Sequence, residues 1–175
     1  MDSLTILRDS IRDVPDFPKP GIVFKDITPV LSDPALFKLA IQHFVQQCAG
    51  KSIDKIAGID ARGFLFGATV AHEMGIGFIP IRKKGKLPYT TISHSYALEY
   101  GEAEIEIHTD AINPGERVVL IDDLLATGGT ASASIHLLEK LGATVVQAQF
   151  LIELAFLDGR SALSPTPVLA LIKYD

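Results

Sequence analysis

The run Val118-Val119-Leu120-Ile121-Asp122-Asp123-Leu124-Leu125-Ala126-Thr127-Gly128-Gly129-Thr130 constrains the fold more than any other part of this 175-residue chain. It opens on a continuous apolar strand, the kind that parallel sheets bury on both faces. Two acids and a Thr-Gly-Gly-Thr turn follow. Then comes a helix, Ala131 to Leu141, with Ile135, Leu138 and Leu141 on one side and Gly142 at its end. A buried strand that passes through a tight turn into a helix reads as one half of a βαβ unit.

The rest of the chain repeats that alternation. Lys55–Ile59 reads as a short buried strand, Phe64 to Met74 as a helix stopped by Gly75, and Phe78–Ile81 as a strand whose Pro80 marks an irregular place. Ile105 and Ile107 alternate as in a strand, Asn113-Pro114-Gly115 is a turn, and Val145–Ile152 and Val168–Ile172 are further strands. Upstream, Leu4, Leu7 and Ile11 recur at helical spacing. The proline-rich stretch from Val14 to Gly21 reads as a stiff loop that breaks this helix. Asp33-Pro34 opens another helix, which buries Leu36, Leu39, Ile41, Phe44 and Val45 and ends near Gly50. The expected fold is α/β, with a mostly parallel central sheet flanked by helices, in one domain over 1–175. The polar segment from Arg82 to Glu104 is expected to be a mobile lid.

The net charge of −5 gives no global basic field, so nucleic acid is not an expected partner and any polyanion must be held by local groups. Cys48 is the sole cysteine, which excludes a disulfide within the chain and suits a buried apolar position. The first residues carry acids and no long apolar run, so neither a signal peptide nor a membrane span is expected, and the cytoplasm is the expected compartment. The five histidines (His43, His72, His94, His108 and His136) are scattered, with no spacing that suggests a metal cluster.

The turn after the acids suits a phosphate. Its glycines let the backbone curl and approach closely. Successive N–H groups then converge on an anion at a helix start. Thr127 and Thr130 add hydroxyls. Like charges repel, so Asp122 and Asp123 suit paired sugar hydroxyls instead. Since neighbouring strand residues face opposite ways, the chain must bend there if both acids meet one ligand. A lone Gly-Gly pair would read as an ordinary turn with an N-capping threonine and solvated acids; the whole succession reads as a site for ribose 5-phosphate. Rival motifs are absent: the chain has no GxxxxGK[ST] loop, Gly75-Ile76-Gly77 lacks a third glycine, His72-Glu73 lacks a second histidine, and there is no Gly-x-Ser-x-Gly elbow.

With those residues the sequence resembles the type I phosphoribosyltransferases, which bind 5-phosphoribosyl 1-pyrophosphate (PRPP) with magnesium. Three further segments narrow the resemblance to the branch acting on adenine: Phe17 to Ile27, Asp60 to Gly67, and Tyr96 to Gly101. Together they cover nearly the whole chain. The resemblance implies transfer of the phosphoribosyl group to adenine, giving AMP and pyrophosphate. It assigns the ribose hydroxyls to Asp122 and Asp123, and the 5-phosphate to Ala126, Thr127, Gly128, Gly129 and Thr130. Asp60, Ala61 and Arg62 form the pyrophosphate loop, often with a non-proline cis peptide, and Arg82, Lys83 and Lys86 supply charge there. A hood over about residues 1–35 brings Val23, Phe24 and Lys25 to adenine, with Leu154 and Tyr100 as further contacts. Glu99, Arg62 and Lys83 are the implied catalytic residues, Glu99 managing a proton on adenine. The lid covers about 83–104. Mg2+ is held mainly through PRPP and water, with no direct protein ligand, and a homodimer is implied, with Arg82 reaching across its interface.

The chain departs from the family at Lys25, where arginine is usual, which removes a planar guanidinium. The resemblance implies that base recognition there uses backbone groups, so activity is expected to survive. Two alternatives stay open: another purine base, or a non-catalytic PRPP sensor. The basic run Arg82-Lys83-Lys84-Gly85-Lys86 is the only feature that favours the sensor, because no residues are spare for a DNA-binding module.

Overall fold

The computed structural model describes residues 2–97 and 102–175. They fall into two compact units, Met1–Gln47 and Cys48–Asp175.

In the first unit, α1 (Ser3–Asp9) buries Leu7, and Ile11 is buried just beyond the helix. Strands β1 (Arg12–Pro15) and β2 (Val23–Asp26) then pair antiparallel, with Val14 opposite Phe24. The sequence places Val14 and Pro15 in a loop, whereas here they finish β1. Pro15 is tolerated because it ends a strand of a two-stranded sheet, where its missing N–H breaks little. After α2 (Thr28–Ser32), α3 (Pro34–Cys48) starts where Asp33-Pro34 predicts. The Asp33 carboxylate accepts from the N–H groups of Ala35 (2.8 Å) and Leu36 (3.0 Å), satisfying two donors that a helix start leaves free. Ala40, Ile41 and Phe44 form the buried stripe of α3, while Leu36, Leu39 and Val45 are half-buried. Ser3 Oγ and His43 Nε2, 2.9 Å apart, tie α1 to α3.

The second unit runs β3 (Lys55–Ile59), α4 (Arg62–Met74), β4 (Gly77–Lys83), β5 (Thr91–Ala97), β6 (Glu102–His108), β7 (Arg117–Leu125), α5 (Gly129–Lys140), β8 (Thr144–Leu154) and β9 (Val168–Tyr174). The strands form one sheet in the order β5-β6-β4-β3-β7-β8-β9. Pairing is parallel from β4 to β9 and antiparallel at β5 and β6. Pro80 fits inside β4 because β6 pairs with that strand only at Arg82 and Lys83, leaving no ladder to break on that side. Strand β5 is absent from the sequence reading, yet its signal is present. Ile92, His94 and Tyr96 alternate with small polar residues, and Ile92 and Tyr96 pack against the core.

One sheet face carries Ala57, Ile59, Val118 and Leu120, which join Ile135, Leu137 and Leu138 of α5 in the main core. The other face carries Ile56, Val119 and Ile121, all buried, and receives α4 through Phe66 and Val70. Close approach on that side depends on glycine: a Cβ at Gly58 would lie 2.7 Å from the Phe78 ring and 3.2 Å from the Gly63 carbonyl. Gly75 caps α4 at φ 67°, as the sequence predicts. Cys48 is buried, and burial pushes its thiol above the usual range. Among the described residues no helix is long and apolar enough to cross a membrane.

The Asn113–Gly115 turn is fastened by Glu116, which accepts from Lys55 Nζ at 2.8 Å and from the Asn113 N–H at 2.8 Å. Its carboxyl is lowered to about 2, chiefly by Lys55 and then by Asn113. A carboxyl depressed in the folded state stabilises the protein above its ordinary value of 4.5, and that stabilisation is lost as pH falls toward about 2. Melting curves between those limits are expected to show a shallower acid slope for Glu116→Gln than for the parent; equal slopes would remove Glu116 from the acid limb.

Candidate active site

The strand β7 does not stop before its acids. It runs on past them through Leu125, so Asp122 and Asp123 lie inside the strand just before its carboxyl end. Even so, both line one cavity of about 390 Å³, together with Ile59, Asp60, Ala61, Arg62, Lys83 and Thr130. A smaller cavity of about 100 Å³ adjoins it, sharing Asp122 and Thr130, and is formed by Leu124 through Ala131. The carboxyl ends of parallel strands thus meet a turn and a helix start, the usual place for a ligand in an open α/β sheet.

The turn has the build of an anion cup. Gly128 adopts φ 85°, in the left-handed region that favours glycine, and it is also the N-cap of α5. No side chain caps this helix. A threonine cap, the ordinary explanation of such a sequence, is therefore not what the threonines do. The first-turn N–H groups have no partners within the helix and open on the small cavity. Thr130 Oγ1 lies 2.9 Å from the Tyr96 hydroxyl.

Two of the larger cavity's acids are held in ion pairs, Asp123 by a cation of the same lining and Asp60 by one outside it. Arg62 Nε donates to Asp123 Oδ2 at 2.5 Å, and Arg82 Nε donates to Asp60 Oδ2 at 2.9 Å. The Asp123 side chain is 7% exposed while that of Arg62 is half-exposed, so the pair is dry on the acid side and wet on the other. Asp122 accepts from the N–H of Asp123. Burial, and then the charge of Asp123, push its carboxyl well above the usual range. The loop Asp60–Ala61 contains the cis peptide that the resemblance implies, and the Asp60 N–H donates to Ile81 O.

Other expected residues lie elsewhere. Arg82 and Lys86 are not in the lining of either cavity. The Arg82 guanidinium sits 5.9 Å from the centre of the Phe64 ring. The N–H groups of Lys86 and Leu87 both donate to Glu106 Oε1. Burial raises the Glu106 carboxyl, but the N–H groups of Leu87, Gly85 and Lys86 outweigh it and hold the group below its usual range. In the first unit, Phe24 lines an apolar cavity of about 210 Å³ with Val14, Phe17 and Asp26. Its ring meets that of Phe17 edge-on at 5.2 Å. Val23 is exposed, and Lys25 donates to Asp13 at 2.6 Å. Leu154, in the second unit, ends β8 opposite Tyr174. Glu99 and Tyr100 lie outside the described residues.

Tyr96 and Gly63 lie in segments that carry the family resemblance, yet the sequence assigns neither a role of its own. Tyr96 is distant in sequence from the turn it meets, and only its alternation with Ile92 and His94 signals a packed position. Gly63, on α4, comes so close to β7 that a Cβ would lie 2.7 Å from Asp122 Oδ1.

Comparison with known proteins agrees with this geometry. The model of the phosphoribosyl transferase domain matches residues 31–163. An adenine phosphoribosyltransferase of Methylobacterium sp. (strain 4-46) is 55% identical over 175 residues, covering 99% of this chain and 97% of that protein. The crystal structure of the adenine phosphoribosyltransferase from Thermoanaerobacter pseudethanolicus superposes with a TM-score of 0.95 at 52% identity, covering 98% of this chain and 99% of that one. That of Saccharomyces cerevisiae, complexed with an imino-altritol bisphosphate and adenine, does so at 0.92 and 40% identity, covering 97% and 98%. The chain belongs to the type I phosphoribosyltransferase family, among its adenine phosphoribosyltransferases.

Proposed function

We propose that this chain transfers the 5-phosphoribosyl group of PRPP to adenine, giving AMP and pyrophosphate in purine salvage. The observation that carries the reading is the junction of the acid-lined cavity with the uncapped turn of Ala126–Thr130. A ligand filling both must be anionic at one end and rich in hydroxyls beside it, which describes a phosphorylated ribose.

On this reading the N–H groups of the turn hold the 5-phosphate, and Asp122 and Asp123 accept the ribose hydroxyls. Asp60, Ala61, Arg62 and Lys83 face the pyrophosphate, and the two cations offset the charge that grows on it as the C1–oxygen bond breaks. Adenine then bonds to C1 through N9 from the opposite face, and N9 gives up its proton. Glu99 is assigned to that proton. Val23, Phe24 and Lys25 are assigned to the base, as are Leu154 and Tyr100. Arg82 supports the site through Asp60.

Magnesium fits the donor set. Among the described residues no cluster of three His, Cys, Asp or Glu side chains could cage a metal ion, and the cavity acids are oxygen donors of the kind that Mg2+ prefers. When bound with PRPP and its waters, the ion would supply positive charge to the leaving pyrophosphate, and the cavity carboxylates of Asp60, Asp122 and Asp123 would accept hydrogen bonds from its water ligands.

The test is an assay for nucleotide with PRPP, magnesium and each purine base in turn. AMP from adenine alone is the expected result, and no product from any base despite PRPP binding would overturn it. Glu99→Gln is expected to lower kcat by about 10²–10⁴-fold with little change in PRPP affinity. Unchanged turnover would remove Glu99 from the chemistry.

A further inference from the structure

The turn that forms the small cavity is backed by a second backbone segment that contributes nothing to its lining. A Cβ at Gly159 would lie 2.2 Å from the Ala126 carbonyl oxygen and 3.1 Å from the Gly128 nitrogen. Conversely, a Cβ at Gly128 would lie 2.4 Å from the Gly159 carbonyl oxygen and 3.0 Å from the Ala162 methyl. The two segments therefore approach backbone to backbone, and Gly159–Ala162 does so from outside the lining of the cup.

That second segment is itself clamped. Arg160 meets Glu153 through two parallel bonds, Nε to Oε1 at 3.0 Å and Nη2 to Oε2 at 2.5 Å. Its Nη1 donates to the Val168 carbonyl at 2.7 Å. Glu153 is 5% exposed and belongs to β8, where it stands in register with Leu125, the residue just before the turn. Leu163 anchors the other end in the core. A planar fork on a buried carboxylate fixes direction as well as distance. The clamp thus fixes where the Gly159 carbonyl stands, and that carbonyl limits where Gly128 can go.

We infer that Arg160, with Glu153 and Gly159, is a positioning residue for PRPP: the clamp holds the Ala126–Thr130 turn from behind, so that its N–H groups stay aimed at the 5-phosphate. The inference rests on the reading of that turn as the phosphate cup. Arg160 lines neither cavity, so it touches no substrate in this arrangement. Its effect is expected on PRPP rather than on adenine.

The experiment measures KM for PRPP and for adenine, and the affinity for ribose 5-phosphate by calorimetry, in the parent chain, Arg160→Ala, Arg160→Lys and Gly159→Ala. A displaced turn is expected to raise KM for PRPP by about 10–100-fold in Arg160→Ala, with KM for adenine within about twofold of the parent. Arg160→Lys, which keeps the charge without the fork, is expected to fall between the parent and Arg160→Ala, and it decides the matter should either of the other two variants fail to fold. Ribose 5-phosphate affinity is expected to fall in step with PRPP. Unchanged PRPP and ribose 5-phosphate binding in the variants would overturn the inference, as would parallel rises in both KM values with a lowered melting temperature, the mark of a merely structural pair. A parent chain that binds no ribose 5-phosphate would overturn the phosphate-cup reading itself.

Discussion

Asp123→Ala is expected to lower kcat/KM for PRPP by about 10²–10³-fold while moving the melting temperature by no more than a few degrees. The two expectations have different sources. Asp123 is assigned a ribose hydroxyl, and it also orients Arg62, whose Nε donates to it. Hydrogen bonds to charged groups contribute about 1.5–3 kcal/mol each, and with Arg62 half-exposed both losses fall near the lower end of that range, together about 3–4 kcal/mol of transition-state binding. Stability responds differently. Arg62 is half-exposed, so water replaces the lost carboxylate. The like charge that helps raise the Asp122 carboxyl also disappears. Because its carboxyl is raised in the folded state, Asp122 keeps its proton to higher pH there than in the unfolded chain, so this group makes stability fall as pH rises from the ordinary value of 3.8 toward the raised one. Without Asp123 that fall is expected to become shallower. Kinetics with varied PRPP, together with melting curves at a series of pH values, check both halves. Activity and melting temperature collapsing together would reduce Asp123 to a structural partner of Arg62.

The parts of the fold that were legible in the sequence are those set by short-range pattern. The apolar run Val118–Ile121, the Asp33-Pro34 helix start and the Gly75 stop each act within a few residues of themselves, and each stands where the pattern places it. Misreadings came where local signals compete with pairing. Val14-Pro15 looks like a breaker, but a two-stranded sheet accepts proline at the end of a strand. Thr91–Ala97 looks like a polar loop, but its alternate residues Ile92 and Tyr96 reach the core. The acids Asp122 and Asp123 were legible as a pair at the end of the strand, though not the strand's continuation past them, because nothing in the local sequence says that pairing with β8 reaches Leu125. Within the site, the turn was legible and its supports were not. Tyr96 and Gly159 lie some thirty residues to either side of the turn, and only the folded chain brings them to it.

Gly63→Ala is the second substitution expected to act strongly, and its sign runs against helix propensity. Gly63 is the second residue of α4, where alanine ordinarily gains about 0.5–1 kcal/mol over glycine. Here the added Cβ would stand 2.7 Å from Asp122 Oδ1, 2.9 Å from the Ile121 carbonyl oxygen and 3.1 Å from the Asp122 Cα. Two of those atoms are backbone of β7, an inner strand paired on both sides, so they cannot yield without disturbing the sheet. The helix must move instead, or the Asp122 carboxylate must swing away. Overpacking of this kind costs about 1–3 kcal/mol, which outweighs the propensity gain. For a chain of this length that lowers the melting temperature by about 2–10 °C. Because one of the clashing atoms belongs to a proposed ribose ligand, KM for PRPP is expected to rise by about tenfold or more at temperatures where the variant is still folded. Thermal melting and PRPP kinetics on the same preparation separate the two effects. A variant that melts at or above the parent temperature would mean that α4 can retreat from β7 at little cost, and the close approach of Gly63 would then be a convenience of packing rather than a condition for holding Asp122 in the site.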